Sequence, residues 1–423
     1  MVQMDWGLGS VSLAQDLTCA GHQVFKIGLH AADVAFALRG VRTLWFRDPI
    51  LAFEAWLDEL LNEHQIDVIL VLNADRTYNR IACKLADAHS IEVFMLELGL
   101  VRPLHITAYS TWDYSEGVIS QLWQRHLAGE KTVDRPSSAP PQPVRRVSSC
   151  DHITRVAMVA FIALAARRFF PHYHDQRIMR LGYQFRSGLE FLRRTWKAFQ
   201  RAPREETLIG KWEGTYFLVP FQVASDCQIV FRSEFRDPPH FLDVVISSFL
   251  RSAPADARLV IKFHPQDRGF LDYGAVVRDA IARLGPDRVA FVDAVSLERA
   301  IKLSRGVVTI NSTVGLTALR HGCPVKTMGR AIYDQPEITF RGSLDEFWTK
   351  GPLSAPDPHR VDEFVTLLES TIQGRGSLVR PFYRGLGRAG TLWPRPFAQS
   401  LGLPCWNPDE LQPQRSLRSL QYR

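Results

Sequence analysis

Twice along this chain, short β-branched apolar runs alternate with segments whose apolar residues recur every three or four positions, and that alternation leaves few folds open. In the first series, Gln23–Leu29 (QVFKIGL) reads as a strand, Ile50–Glu63 as an amphipathic helix, Asp67–Leu72 (DVILVL) as a strand, Arg76–Ala88 as a helix and Ile91–Leu96 (IEVFML) as a strand. In the second, strands are expected at Thr215–Pro220 (TYFLVP), Arg258–Phe263 (RLVIKF), Val289–Val292 and Gly306–Ile310, with helices at His240–Leu250, Tyr273–Leu284 and Leu297–Leu303. Buried strands separated by helices build parallel sheets covered by helices. The expected fold class is α/β, with two successive domains facing a cleft, and ligands of such folds sit beyond the C-terminal ends of the strands.

The intervening stretches divide the chain further. Residues 132–150, rich in Pro and Ser (TVDRPSSAPPQPVRRVSS over Thr132–Ser149), read as a loop, and 151–204 as a basic helical segment with apolar residues among the charges. The plan is an N-terminal domain over 1–131, the loop, the basic segment, a C-terminal domain over 205–350 and a helical tail over 351–423. In such domains a strand precedes the Gly-rich turn, yet DWGLGS begins at Asp5. The leading strand is therefore expected to be missing, with the natural start upstream.

With 423 residues, 46% hydrophobic and 22% charged, the chain is globular rather than disordered. The net charge of +7 is spread widely, without an RNA-binding aromatic motif, zinc finger or basic zipper, so no nucleic-acid partner is expected and an anionic lipid or substrate is favoured. The six cysteines (Cys19, Cys83, Cys150, Cys227, Cys323, Cys405) form no Cys-x-x-Cys pair, which argues against a zinc site or disulfide framework and for a reducing compartment. MVQMDWGLGS lacks the features of a signal peptide, and the longest apolar run, VAMVAFIALAA (Val156–Ala166), is too short to span a bilayer. The expected location is cytoplasmic, with peripheral contact to a membrane; for the basic segment, solvated helices with an apolar packing face are the competing account.

Candidate chemistry clusters at predicted strand ends. In GVVTINSTVGLTALRHGCPVKTMG (Gly306–Gly329), a strand stops at Asn311, Ser312 and Thr313, where Asn311 or Ser312 caps the following helix. That elbow presents backbone N–H groups, a helix dipole and two hydroxyls, which suit a phosphate, although an ordinary cap has the same sequence. In KFHPQDRGFLDY (Lys262–Tyr273), Pro265 holds His264 out of the helical region, where its imidazole and Arg268 suit an anion. In VPFQVASDCQI (Val219–Ile229), Asp226 suits a nucleophile or an electrostatic partner for an oxocarbenium-like centre, or else a turn or cap. In MLELGLVRP (Met95–Pro103), Glu97 is placed after its strand for acid–base work, or for a pair with Arg102. In NADRTYNR (Asn73–Arg80), Asp75 and Arg76 fit an acceptor site, with capping by Asp75 the alternative. No Asp-x-Asp pair, Walker lysine loop, His-Glu-x-x-His or Gly-x-Ser-x-Gly occurs, which favours a metal-independent mechanism without a cofactor.

Three of these stretches, FHPQDRGFLDY, TINSTVGLTALRHGCPVKTMGRAIYDQPEITFRGSLDEFW and ELGLVRP, resemble the bacterial capsular polysaccharide biosynthesis and export family of the KpsS and LipB type. The resemblance is dense over 210–348 and recognisable over 21–107. It implies a GT-B-like architecture of two Rossmann-like domains and a β-Kdo glycosyltransferase acting on the lipid end of group 2-like capsules, with CMP-β-Kdo on the C-terminal domain. By position, His264 and Pro265 resemble the His-Pro motif contacting CMP, Ser312 and Thr313 the hydroxyl motif at its phosphate, and Gln222 with Asp226 the Gln-x-x-x-Asp segment of the nucleophilic aspartate. Glu97, Gly99 and Arg102 resemble an acidic-x-Gly-x-x-Arg motif. Asn73, Ala74 and Asn79 depart from the family's Gly, Asp and His positions on the acceptor side. The implied partners are a CMP-sugar donor, a phosphatidylglycerol-type acceptor, the inner-membrane surface and capsule assembly or export proteins. A non-catalytic export scaffold, or a transferase of another CMP-activated sugar, is the alternative.

Overall fold

The computed structural model describes residues 2–3, 8–29, 33, 42–72, 76–101, 105–110, 116–130, 167–173, 181–224, 226–267, 272–375, 393–403 and 405. Its described strands are β1 (Val2–Gln3), β2 (Phe25–Gly28), β3 (Arg42–Trp45), β4 (Val68–Leu72), β5 (Glu92–Leu98), β6 (His105–Ser110), β7 (Tyr216–Pro220), β8 (Arg258–Lys262), β9 (Val289–Val292), β10 (Gly306–Thr309), β11 (Val325–Thr327) and β12 (Gln373–Arg375). They belong to two compact units, one of Met1–Asp175 with Glu363–Arg423, the other of Gln176–Asp362.

The first unit holds a seven-stranded sheet in the order β12-β6-β5-β4-β1-β2-β3. From β3 to β5 the strands run parallel. The leading strand expected to be missing is present in short form: β1 lies between β2 and β4, with Val2 opposite both Lys26 and Leu70. Two residues carry no readable β pattern. β6 turns back antiparallel on β5, because Gly99 allows a close return in which its N–H bonds the His105 carbonyl at 2.9 Å. A Cβ on Gly99 would lie 2.3 Å from the His105 backbone, so only glycine fits there.

The expected tail over 351–423 is revised by the chain's path. Within the helix Pro358–Thr371 the chain re-enters the first unit, where β12 pairs antiparallel with β6. The cause is apolar. Trp393, Phe397, Ala398, Leu401 and Leu403 complete a core with Leu13, Leu17, Phe94, Leu96 and Ile106, and Phe397 stands edge-on to Phe94 at 5.0 Å.

The second unit holds five parallel strands in the order β11-β10-β7-β8-β9. The strand order reverses between β7 and β10, making a topological switch point there. Helices Pro238–Ser252 and Leu344–Lys350 bury Phe241, Val245, Phe249, Phe347 and Trp348 against Phe217, Val219, Leu259 and Ile261. The Trp348 indole N–H donates to Ser248 Oγ at 2.9 Å, which satisfies a polar atom inside this core. Of the basic segment, 151–166 and 174–180 lie outside the described residues, as does the loop 132–150. The remainder includes one helix, Leu181–Lys211, which continues past the expected boundary at Arg204. No helix among the described residues is long and apolar enough to cross a membrane.

Candidate functional site

The C-terminal edge of the second unit's sheet gathers most of the residues singled out by sequence. Gln222 follows β7, and Asn311 follows β10, the neighbouring strand across the switch point. Both are buried. The Gln222 amide donates to Asn311 Oδ1 at 2.8 Å and its carbonyl oxygen accepts from the Asn311 backbone N–H at 3.2 Å. The Asn311 amide in turn donates to the Gln228 carbonyl at 3.3 Å. Two loops from adjacent strands are thereby locked together at the point where α/β folds bind their ligands.

Asp226 sits beside this lock. Its Oδ1 accepts from the Gln228 N–H at 3.0 Å and caps the short helix Cys227–Phe231, so the capping role weighed against catalysis is filled by one oxygen. Its Oδ2 receives a long bond of 3.4 Å from the Gln222 amide. One carboxylate oxygen thus fixes the side chain while the other is held loosely.

His264 and Pro265 follow β8, whose neighbour is β7. Pro265–Asp267 forms a 3-10 turn in which the Asp267 N–H bonds the His264 carbonyl at 3.1 Å. Asp267 is buried and ties this loop to the one bearing Asp226: its carboxylate accepts from the Ala224 N–H at 3.3 Å and from the Tyr273 hydroxyl at 3.0 Å. Burial pushes the Asp267 carboxyl above its ordinary range, against the lowering effect of those two bonds. The same burial, with the Asp267 charge beside it, raises the Tyr273 phenol.

Ser312 caps the helix Thr313–Arg320, with Oγ accepting from the Val314 N–H at 3.3 Å. Of the two capping candidates, Ser312 takes the role and Asn311 makes the cross-strand lock. The Tyr333 hydroxyl donates to the Ser312 carbonyl, and Gly315 permits this approach, since a Cβ there would lie 2.3 Å from the Tyr333 hydroxyl oxygen. The elbow is thus braced from behind while its first N–H groups form the positive end of the helix.

Glu97 and Arg76 belong to the first unit. Glu97 lies inside β5, where a loop position after the strand was expected, and pairs with Thr107 of β6. The strand continues because β6 returns beside it. On the other side of Thr107 stands Gln373 of β12, whose amide donates to Thr107 Oγ1 at 2.8 Å and whose oxygen accepts from the Leu100 and Val101 N–H groups at 3.0 and 3.4 Å. The loop leading towards Arg102 is therefore held by the returning chain. Arg76 occupies the cap position of the helix Thr77–Ala88, and Asn79 donates to the Leu72 carbonyl at 2.8 Å. Asp75, Arg102 and Arg268 lie outside the described residues.

Sequence reading missed Asp267, Tyr273, Tyr333 and Gln373 as supports of these loops. Asp267 and Tyr273 stand within the quoted His-Pro stretch, so a fixed spacing from His264 was the available signal. Tyr333 and Gln373 act through long-range contacts that leave no local pattern.

Fold and loop set together define an α/β protein with a parallel sheet, and the loops gather at its switch point, where folds of this class bind their ligands. The chain belongs to the capsule polysaccharide biosynthesis protein family, whose model matches residues 67–378. It is 33% identical over 345 residues to the capsule polysaccharide modification protein LipB of Neisseria meningitidis serogroup A, covering 79% of this chain and 81% of that one. It is 28% identical over 341 residues to the capsule polysaccharide export protein KpsS of Escherichia coli, covering 79% of this chain and 85% of that one. Among solved structures, a β-Kdo 2,7 transferase, KpsC of Thermosulfurimonas dismutans, aligns with a TM-score of 0.41 at 17% identity, over 84% of this chain and 92% of that one.

Proposed function

We propose that this protein is a retaining, metal-independent glycosyltransferase that moves Kdo from CMP-β-Kdo to a phosphatidylglycerol-type lipid in the synthesis of a capsule's lipid linker, working at the cytoplasmic face of the inner membrane. The single observation that carries the reading is the joining of Gln222, Asn311 and Asp226 at the switch point, beside the His264 loop and the Ser312 elbow. A scaffold has no need of a carboxylate held by one oxygen next to an anion-suited helix start.

In the proposed reaction, Asp226 Oδ2 attacks the anomeric carbon of Kdo. A carbon–oxygen bond to the enzyme forms as the bond to the CMP phosphate breaks, and the departing phosphate takes the electron pair. His264, the N–H groups at Ser312 and Thr313, and Arg268 stabilise that charge; fixed donors of this kind commonly contribute a factor of about 10² to 10³ each. A lipid hydroxyl then displaces Asp226 and loses its proton to a general base, and two inversions restore the original configuration. Asp75, Arg76 and Arg102 are assigned to the acceptor.

The test is transfer by the purified protein from CMP-Kdo generated in situ to a fluorescent phosphatidylglycerol, with mass spectrometry of the lipid. Addition of a single Kdo supports the reading. No product, together with no thermal stabilisation by CMP, contradicts it.

A further inference from the structure

The helix Leu181–Lys211 presents a face that the transfer chemistry does not use. Leu192, Trp196 and Phe199, spaced by four and three residues, stand on one side of it and are 53%, 67% and 69% exposed. On another side of the helix Ala198 and Ile209 are buried. Three large apolar side chains in one exposed row are more than the scattered apolar exposure of an ordinary surface.

Cations lie to one side of this row, turned from it by about a third of the helix circumference, with Arg201 nearly opposite. Arg193, Lys197, Arg201, Arg204 and Lys211 are exposed, and the last four make no ion pair among the described residues. The carboxylates of the helix are engaged elsewhere. Glu190 bonds Arg193 and Arg194, each at 2.6 Å. Glu205 accepts from the Asp293 and Ala294 N–H groups at 2.9 Å, and Glu206 from the Ser296 N–H at 3.0 Å. Those bonds anchor the end of the helix to the loop after β9. Pro203 removes the N–H that would bond the Phe199 carbonyl, so the row lies just before a weakened turn.

We infer that Leu192, Trp196 and Phe199 form the edge by which this protein enters the interface of an anionic lipid bilayer, with the long side chains of Lys197 and Arg204 reaching the headgroup phosphates. Apolar burial and attraction to anionic lipid add in such a helix, and Trp and Phe suit the headgroup boundary. The purpose of the contact rests on the lipid-acceptor reading above, whereas its geometry is independent of it.

The test is flotation of the purified full chain with vesicles of phosphatidylglycerol and phosphatidylcholine. The wild type is expected to float with mixed vesicles and much less with phosphatidylcholine alone. Replacing the row together (Leu192→Ser, Trp196→Ser, Phe199→Ser) should lower partitioning by about tenfold or more, as should Lys197→Glu with Arg204→Glu. All five side chains are exposed, so both variants should fold. Transfer to a short-chain, water-soluble acceptor should be unchanged in both. Vesicle binding that depends on the row, with no transfer to any acceptor, keeps the docking edge and removes the transferase reading. Transfer to the soluble acceptor with equal flotation of wild type and row variant, or no flotation at all, overturns the docking edge. So does a wild-type dimer that the row variant converts to a monomer, since the face would then be a contact between copies of this chain.

Discussion

Gln222 and Asn311, 89 residues apart, exchange two hydrogen bonds across the switch point of a parallel sheet, and Asp226 hangs from the same amide. Two loops that the chain visits separately are thereby one piece of structure. Removing one buried partner leaves the other unsatisfied, at a cost of about 1 to 3 kcal/mol. Gln222→Ala should lose that much stability, and Gln222→Glu no less despite its matching shape, because a carboxylate would face Asn311 Oδ1 and Asp226 Oδ2. Denaturant unfolding of the two variants and of Asn311→Ala, combined in a double-mutant cycle, checks the coupling. Additive losses would separate the two residues.

Asp267 carries a pH signature. Its carboxyl is raised above the ordinary value by burial, so the folded protein keeps a proton that the unfolded chain, with a value of about 3.9, gives up. Folded protein binding more protons means that stability falls as pH rises from about 4 through the raised value. Asp267→Asn, which does not ionise, should flatten that fall. Urea midpoints measured across this window compare the two slopes; equal slopes would remove Asp267 as the cause.

The second unit was legible because strands such as Val289–Val292 are short apolar runs buried on both faces, a pattern that local residues alone produce. Ser312 was legible as a cap for the same local reason. Glu97 was not, since its place in β5 depends on a return strand, His105–Ser110, and on Gln373, which meets Thr107 from 266 residues away. The return of the chain to the first unit was hidden likewise: Trp393 and Phe397 look like any apolar residues in a tail until the core that receives them is known.

Gly315 lies where a side chain would displace Tyr333 from the Ser312 carbonyl. Gly315→Ala should cost about 1 to 3 kcal/mol through overpacking. Adding Tyr333→Phe removes the nearest atom and should recover part of that loss. If the double variant is as unstable as the sum of the singles, measured by denaturant unfolding, the contact is not the cause.

His264 is half-buried and lies outside the hydrophobic core of its unit. His264→Ala should therefore change stability by no more than about 1 kcal/mol. It should lower kcat by about 10² to 10³, as the loss of a fixed donor to a leaving phosphate does. Steady-state kinetics alongside thermal unfolding make the comparison, and retained turnover would take His264 out of the mechanism.

In the proposed reaction Asp226 becomes bonded to the sugar. The most direct measurement is intact-protein mass spectrometry after exposure to CMP-Kdo without a lipid acceptor, followed by peptide mapping. The expected result is a mass increment of one Kdo on the peptide containing Asp226, absent in Asp226→Asn and chased away by adding the acceptor. A protein that forms product with no such adduct, and whose Asp226→Asn variant still turns over, would contradict it.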